Sequence, residues 1–276
     1  MKQFYFLCLT LLIIGCTEQK PRPASATDNV FVVEHFFQIP ELNRTRQIRI
    51  YLPPNYESSG QSYPVLYMHD AQNLFDDATS YAGEWGVDET LNQLHEENQL
   101  SLIVVGIDNG SDKRMNELSP WSNEDFGVAE GEAYMKFIVA TIKPFIDSKY
   151  RTLKEAKHTA IMGSSMGGLI SHYAGFEFAD SFSKIGIFSP SYWFSEEVYE
   201  FSQVNKLTSD SKLYMLMGGD EGHDMVENFN KMTLQLKSAG MNDANLSASV
   251  VLNGEHNEAF WRSEFKRAIL WLFRES

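Results

Sequence analysis

One serine in this sequence has surroundings that could turn its hydroxyl into a nucleophile. Gly163-Ser164-Ser165-Met166-Gly167 reads G-x-S-x-G, with a short apolar run, Thr159–Met162, before it and a helical pattern after it. A serine on a sharp strand-to-helix turn projects its Oγ above the edge of a sheet. The flanking glycines let neighbouring backbone pass with no Cβ in the way. The helix N-terminus behind the turn favours negative charge, and the amide of Met166 can donate to an oxyanion. The chemistry this points to is acyl transfer through Ser165. Ser164 lies one place out of register and is read as structural. The motif is short enough to recur at unrelated strand–helix turns, so its partners must be found as well.

A neutral serine needs a base to take its proton and an acid to orient that base. The chain holds seven histidines: His35, His69, His95, His158, His172, His223 and His256. Where a serine turn of this kind sits on a strand–helix scaffold, the acid and then the histidine follow it in the chain. Only His223 and His256 come late enough. His256 follows the strand-like run Ala248–Leu252 and precedes the last helical pattern, which puts it on a loop at a strand's C-terminal end. His223 opens the preceding helix and reads as a surface or capping residue. The acid is expected after the run Leu213–Met217, where Gly218-Gly219-Asp220-Glu221-Gly222-His223-Asp224 offers three carboxylates. Spacing alone does not separate them, and each could simply complement a helix dipole. There is no HExxH or HxH motif, and His69-Asp70 has no obvious further ligand, so neither a catalytic metal nor a cofactor is predicted.

The elements that must carry these residues are legible from pattern. Val30–Ile39 and Arg46–Leu52 read as a first pair of strands. Tyr63–Met68, Leu102–Ile107, Thr159–Met162, Ile185–Phe188, Leu213–Met217 and Ala248–Leu252 are short, nearly continuous apolar runs, as expected of strands buried on both faces. Between them Tyr134, Phe137, Ile138, Ile142, Phe145 and Ile146 follow helical spacing, with Pro144 predicting a kink or a local break. Met225, Phe229, Met232 and Leu236 form another helical face, with Gly240 as its expected C-terminal stop. A last helix over about 258–273 places Trp261, Phe265, Ala268 and Leu272 together. Strands alternating with helices predict one α/β domain over 30–276 with a mostly parallel sheet.

Of the 276 residues 43% are hydrophobic and 22% charged, which supports a sizeable core and excludes disorder over most of the chain. The formal net charge of −14, from 37 acidic against 23 basic residues, argues against nucleic acid as a partner. Both cysteines, Cys8 and Cys16, stand at the N-terminus, so a thiolate metal site, a disulfide framework and a cysteine nucleophile in the body all drop out. Lys2 followed by the apolar run Phe4–Ile14 reads as a secretory segment too short to span a bilayer. Its end, Ile13-Ile14-Gly15-Cys16, resembles the lipobox of bacterial lipoproteins. That resemblance implies a signal peptide over 1–15, lipid on Cys16, and a chain fastened outside the cytoplasm by its lipid alone. Residues 16–29, polar and proline-containing, are expected to be a flexible tether.

Together these landmarks resemble the esterase branch of the α/β-hydrolases related to enterochelin esterases, feruloyl esterases and S-formylglutathione hydrolase. The resemblance covers about residues 30–275. It rests on Tyr51 to Tyr56 (YLPPNY), Val65 to Asp76 (VLYMHDAQNLFD), Trp85-Gly86-Val87-Asp88, Val105 to Asp108 and Arg114 with Glu117. Gly163 to Gly168, Ser189-Pro190-Ser191 and Gly254-Glu255-His256 complete it. It implies the α/β-hydrolase fold, Ser165 as nucleophile and His256 as base. It places the acid fourth in the turn that starts at Gly218, which is Glu221, with Asp220 second. Where the family usually reads His-Asp-Gly, this chain has His69-Asp70-Ala71. A second oxyanion amide is therefore expected near Asp70 or Ala71, from a loop that cannot need a glycine-only conformation there. Arg114, Glu117, Trp121 and Trp193 are candidates for the substrate pocket. The plainer expectations are an ion pair between Arg114 and Glu117 and core packing for the tryptophans. The implied activity is hydrolysis of a small-molecule or glycan ester: an acylated carbohydrate, a phenolic ester or a siderophore-type ester. The alternatives are an acyltransferase using the same three residues, or a surface binding module that keeps only the fold.

Overall fold

The computed structural model describes residues 22–274. The expected signal peptide and the lipid site at Cys16 lie outside the described residues. The strands are β1 (Val30–Val32), β2 (Phe37–Ile39), β3 (Arg44–Arg46), β4 (Ile48–Tyr51), β5 (Val65–His69), β6 (Ile103–Ile107), β7 (Thr159–Ser164), β8 (Lys184–Phe188), β9 (Lys212–Gly218) and β10 (Leu246–Val251). Eight of them form one sheet in the order β1-β4-β6-β5-β7-β8-β9-β10. β1 and β4 run antiparallel to their neighbours, and every pairing from β6 to β10 is parallel. The expected opening pair exists as β1 and β4, in register from Val30 opposite Tyr51. Between them β2 and β3 form a small separate hairpin sheet, so Val30–Ile39 is two strands rather than one.

The nearly continuous apolar runs have the meaning assigned to them. Along β5, Val65 and Tyr67 pack into one core cluster while Leu66 and Met68 pack into the other. Side chains alternate across a strand, so a strand covered on both faces must be apolar at every position. One face carries α4 (Gly131–Phe137), α6 (Met166–Glu177) and α8 (His223–Ser238). The other carries α2 (Val87–Glu96) and α9 (Glu258–Phe273). The remaining helices are α1 (Tyr56–Ser59), α3 (Arg114–Glu117), α5 (Lys143–Lys149) and α7 (Glu197–Val204). This is the mostly parallel sheet of the α/β-hydrolase fold, covered on both sides.

The break predicted at Pro144 takes the form of a π-helical turn, Ile138–Ile142, between α4 and α5. A wider turn there accommodates a ring that has no N–H and would otherwise press on the carbonyl four residues back. α8 ends before Gly240, whose φ of +103° allows the left-handed stop. α9 starts at Asn257, whose side chain accepts from the amide of Phe260.

The expected tether behaves differently over its described part. The Thr27 amide and hydroxyl both donate to the buried Asp88. Ser25 donates to Asp76 and Glu84, and Arg22 reaches Asp77, Ser80 and the carbonyl of Tyr81. Residues 22–29 are thus strapped onto the loop that follows β5.

Two buried histidines set an acid limit on this fold. His172 receives the Tyr192 hydroxyl on Nδ1 and donates from Nε2 to Ser202, whose own hydroxyl is committed to the Val198 carbonyl. That network satisfies the neutral ring, and burial lowers its pKa to about 3. Burial likewise lowers His69 to about 4. Both folded values lie below the ordinary 6.5, so the unfolded chain binds more protons as pH falls through that range. Stability should therefore decline from about pH 6.5 towards pH 4, each histidine approaching ~1.4 kcal/mol per pH unit. His172→Gln should remove one proton's share of that slope, read from denaturant unfolding between pH 5 and 7.

Candidate active site

Ser165 stands between β7 and α6 with φ 57° and ψ −120°, a conformation L residues rarely adopt. Such strain costs on the order of 1–3 kcal/mol and persists only where surrounding bonds enforce it. Three do: the Ser165 amide donates to the Phe188 carbonyl, while the amides of Leu169 and Ser191 donate to the Ser165 carbonyl. Gly163 is required by the same packing, since a Cβ there would lie 2.8 Å from the backbone of Gly167. The Ser165 hydroxyl lies 3.2 Å from that of Ser191. Met166 is the first residue of α6, so its amide has no acceptor within the helix.

Glu221 and His256 meet. His256 Nδ1 lies 2.7 Å from Glu221 Oε2, and the Glu221 side chain is fully buried. Its other oxygen accepts the Gly218 amide at 2.8 Å and the Ser189 hydroxyl. The loops bearing the pair are tied by backbone bonds from Gly219 to Val251 and from Asp220 to Gly254. A Cβ at Gly254 would come within 2.9 Å of Gly218 Cα, so that approach requires glycine. Asp220, the alternative acid, is exposed, as is Asp224. His223 is exposed at the first turn of α8, beside Asp224 and Glu227. Their ligand atoms fall within 4.8 Å of one another, but none of the three lines the cavity that holds Ser165.

That cavity, about 770 Å³, is lined by Ser165 and His256 together with His69, Asp70, Asn73, Arg114, Glu258 and Trp261. Among the lining residues Arg114 grips Asp70 with two hydrogen bonds, Nε to Oδ1 at 2.6 Å and a terminal nitrogen to Oδ2 at 2.9 Å. Burial alone would raise Asp70. The Arg114 charge and hydrogen bonds, with a further bond from Asn109, outweigh it and hold the carboxyl below its ordinary range. Glu258, whose Oε1 accepts from Asn73, is raised by burial with Asp70 nearby. The left-handed turn after β5 falls on Asp70 (φ 57°), not on Ala71. A Cβ at Gly167 would lie 3.4 Å from both Asp70 and His69, so this turn packs directly against the start of α6.

The pocket candidates divide. Arg114 lines the cavity, but its partner is Asp70; the expected ion pair with Glu117 is replaced by one between Glu117 and both Arg44 and Arg46, beneath the surface. Those arginines come from the β2–β3 hairpin, whose existence the sequence pattern did not disclose. Trp121 is buried against Tyr173 and Phe201 and does not line the cavity. Trp193 is exposed, packed on Phe126 and Phe194 outside it. Three supporting residues escaped sequence reasoning. Trp261, read only as core, donates from its indole to Ser189 and meets the His256 ring edge-on at 5.1 Å. Ser189, a bare landmark before, bridges Trp261 to Glu221. Ser191 faces the Ser165 hydroxyl. The only signal for the two serines was the Ser189-Pro190-Ser191 run at a strand's C-terminal end.

The family model described as "Putative esterase" matches residues 39–272. The chain belongs to this family of esterases. An uncharacterized protein of Bacillus subtilis, YbbA, is 26% identical over 244 residues, 83% of this chain and 92% of that one. An IroE-like serine hydrolase from Shewanella oneidensis superposes with a TM-score of 0.71 at 20% identity, covering 88% of this chain and 79% of the other. The enterobactin esterase FES from Shigella flexneri, solved in the presence of enterobactin, gives 0.72 at 17%, covering 90% of this chain and 60% of that protein. These likenesses establish the α/β-hydrolase fold.

Ser189→Ala should test the support beneath the acid. Loss of one bond to a carboxylate, about 1.5–3 kcal/mol, should lower kcat on a small ester roughly tenfold or more while KM stays unchanged. An unaltered kcat would mean that Gly218 and His256 hold Glu221 unaided.

Proposed function

We propose that the chain is a serine-dependent carboxylic ester hydrolase with Ser165 as nucleophile, His256 as base and Glu221 as the orienting acid. The observation that carries this is the 2.7 Å contact of His256 with buried Glu221, on the same cavity as Ser165 in its strained turn. The contact commits Nδ1 to the acid and leaves Nε2 to accept the serine proton. Ser165 Oγ attacks the ester carbonyl, and the developing oxyanion is held by the Met166 amide with a second amide at Asp70 or Ala71. His256 returns the proton to the departing alcohol. Water, deprotonated in turn by His256, then cleaves the acyl-Ser165 ester.

The cavity lining favours an ester with polar, hydrogen-bonding groups over a long alkyl chain. Gln72, Asn73, Thr79, Asn109 and Ser111 line it beside the Asp70–Arg114 pair. We therefore place the substrate among acylated carbohydrates, phenolic esters and siderophore-type esters, the last being what the FES enzyme was solved with. The lipobox-like Ile13-Ile14-Gly15-Cys16 supports a lipid-anchored protein outside the cytoplasm.

Ser165→Ala should abolish p-nitrophenyl acetate turnover and labelling by a fluorophosphonate, a loss of about 10³-fold or more. Glu221→Gln should lower kcat by roughly 10²–10⁴-fold, because an amide no longer fixes the imidazole tautomer. Wild-type protein that resists the fluorophosphonate would reduce the chain to a binding module on a hydrolase fold. A panel of acetyl, feruloyl and catecholate esters then ranks the three substrate classes.

A further inference from the structure

The strap over residues 22–29 fixes where the chain leaves the domain. Arg22 donates to the Ser80 hydroxyl at 2.7 Å and to the Tyr81 carbonyl at 3.1 Å. Ser80 and Tyr81 line the same cavity as Ser165 and His256. The N-terminal segment therefore departs from the rim of the active site and not from the far end of the sheet. Five residues lie between Cys16 and Arg22, and the steps from one to the other, fully extended, reach at most ~20 Å. A domain of this length is on the order of 45 Å across.

The rim has the surface such a position calls for. Tyr81, 91% exposed, lies in the loop after β5; Phe126 and Val128 lie after β6, Trp193 after β8 and Leu252, 82% exposed, after β10. All five are large exposed apolar side chains in the segments that follow β5, β6, β8 and β10, Phe126 and Val128 coming between α3 and α4. Tyr and Trp are the residues favoured at the water–lipid boundary.

We propose that the mouth of the catalytic cavity faces the bilayer, held within reach by the short N-terminal tether and seated by this apolar rim. The proposal rests on lipid attachment at Cys16. It has a physical rival at the opposite end of the sheet. There Lys157, Lys184, Lys212 and Arg274 line a groove of about 860 Å³, and basic residues near an anionic leaflet gain about 1 kcal/mol each. That end lies at the opposite edge of the sheet from the rim to which the strap ties Arg22.

The test uses the full-length lipoprotein in vesicles of phosphatidylcholine and phosphatidylglycerol. Val128→Cys at the rim and Ser209→Cys beside the basic groove each receive an environment-sensitive fluorophore, Cys16 being blocked by its lipid. Vesicles with nitroxide lipids labelled near the headgroup should quench the label at position 128, with loss and blue shift of its emission, and leave the label at 209 unchanged. Quenching at 209 equal to or above that at 128, or at neither position, overturns the orientation. Mass analysis of the N-terminal peptide separates the two ideas. A free Cys16 thiol removes the anchor and the proposal with it, whereas an acylated Cys16 with the wrong quenching pattern removes only the orientation.

Discussion

The carboxylate of Glu221 is fully buried, and a charge taken out of water must be supplied with hydrogen bonds or it destabilises the fold. Three donors converge on it from three segments: the Gly218 amide at the end of β9, the Ser189 hydroxyl after β8 and the His256 ring after β10. Each donor needs its own support. Ser189 stands in a left-handed conformation (φ 44°) and is fixed by its amide on the Leu216 carbonyl and by the indole of Trp261. His256 is brought in by a loop that passes close only because residues 218 and 254 are both glycine. The sheet order β8-β9-β10 is thus a requirement of the site, since the strand bearing the acid must lie between the strands whose loops supply its other two donors.

A second charge is handled differently. Asp70 lines the cavity beside a neutral histidine, with Glu258 nearby, and Arg114 keeps it ionised. The arginine is itself largely buried within that pair, so the guanidinium is spent on Asp70 before any substrate arrives. What remains for an incoming ester is a set of amides, hydroxyls and one shielded ion pair. The two oxyanion candidates come from opposite sides of this arrangement. Met166 belongs to the helix start and Ala71 to the turn after β5, and at Gly167 the helix start packs against the side chains of His69 and Asp70.

Much of this is legible in the amino-acid sequence, for identifiable reasons. Strands buried on both faces write themselves as unbroken apolar runs, and β5 to β10 fall within about two residues of those runs. The serine turn was visible because its first glycine, Gly163, is demanded by backbone contact. The pairing of His256 with Glu221 rather than Asp220 was not a matter of spacing. Both acids lie in one turn, and which of them points inward follows from the Gly218 amide and the Ser189 hydroxyl, one of them on another strand. Glu117 illustrates the opposite failure. Three residues from Arg114 on a short helix, it has the spacing of an ion pair, yet two arginines of a remote hairpin claim it. Long-range partners of that kind leave no local periodicity.

The strap is the sharpest instance. A polar, proline-containing segment after an apolar run has the composition of a linker, and composition cannot distinguish a free linker from one docked through hydrogen bonds. What makes this segment dock is the acidity of its target. Asp76, Asp77, Glu84 and Asp88 stand on the loop after β5 and at the start of α2, and Arg22, Ser25 and Thr27 supply cationic, hydroxyl and amide donors at alternate positions or nearly so. The loop they hold has little regular structure beyond one 3₁₀ turn, yet it walls the cavity that holds Ser165 and His256. Its rigidity is therefore borrowed from two sources: the strap outside, and Asn73 inside, whose carbonyl, side-chain oxygen and side-chain nitrogen bind Trp85, Tyr81 and Glu258. The shape of the cavity around Ser165 thus depends on residues that precede the first strand.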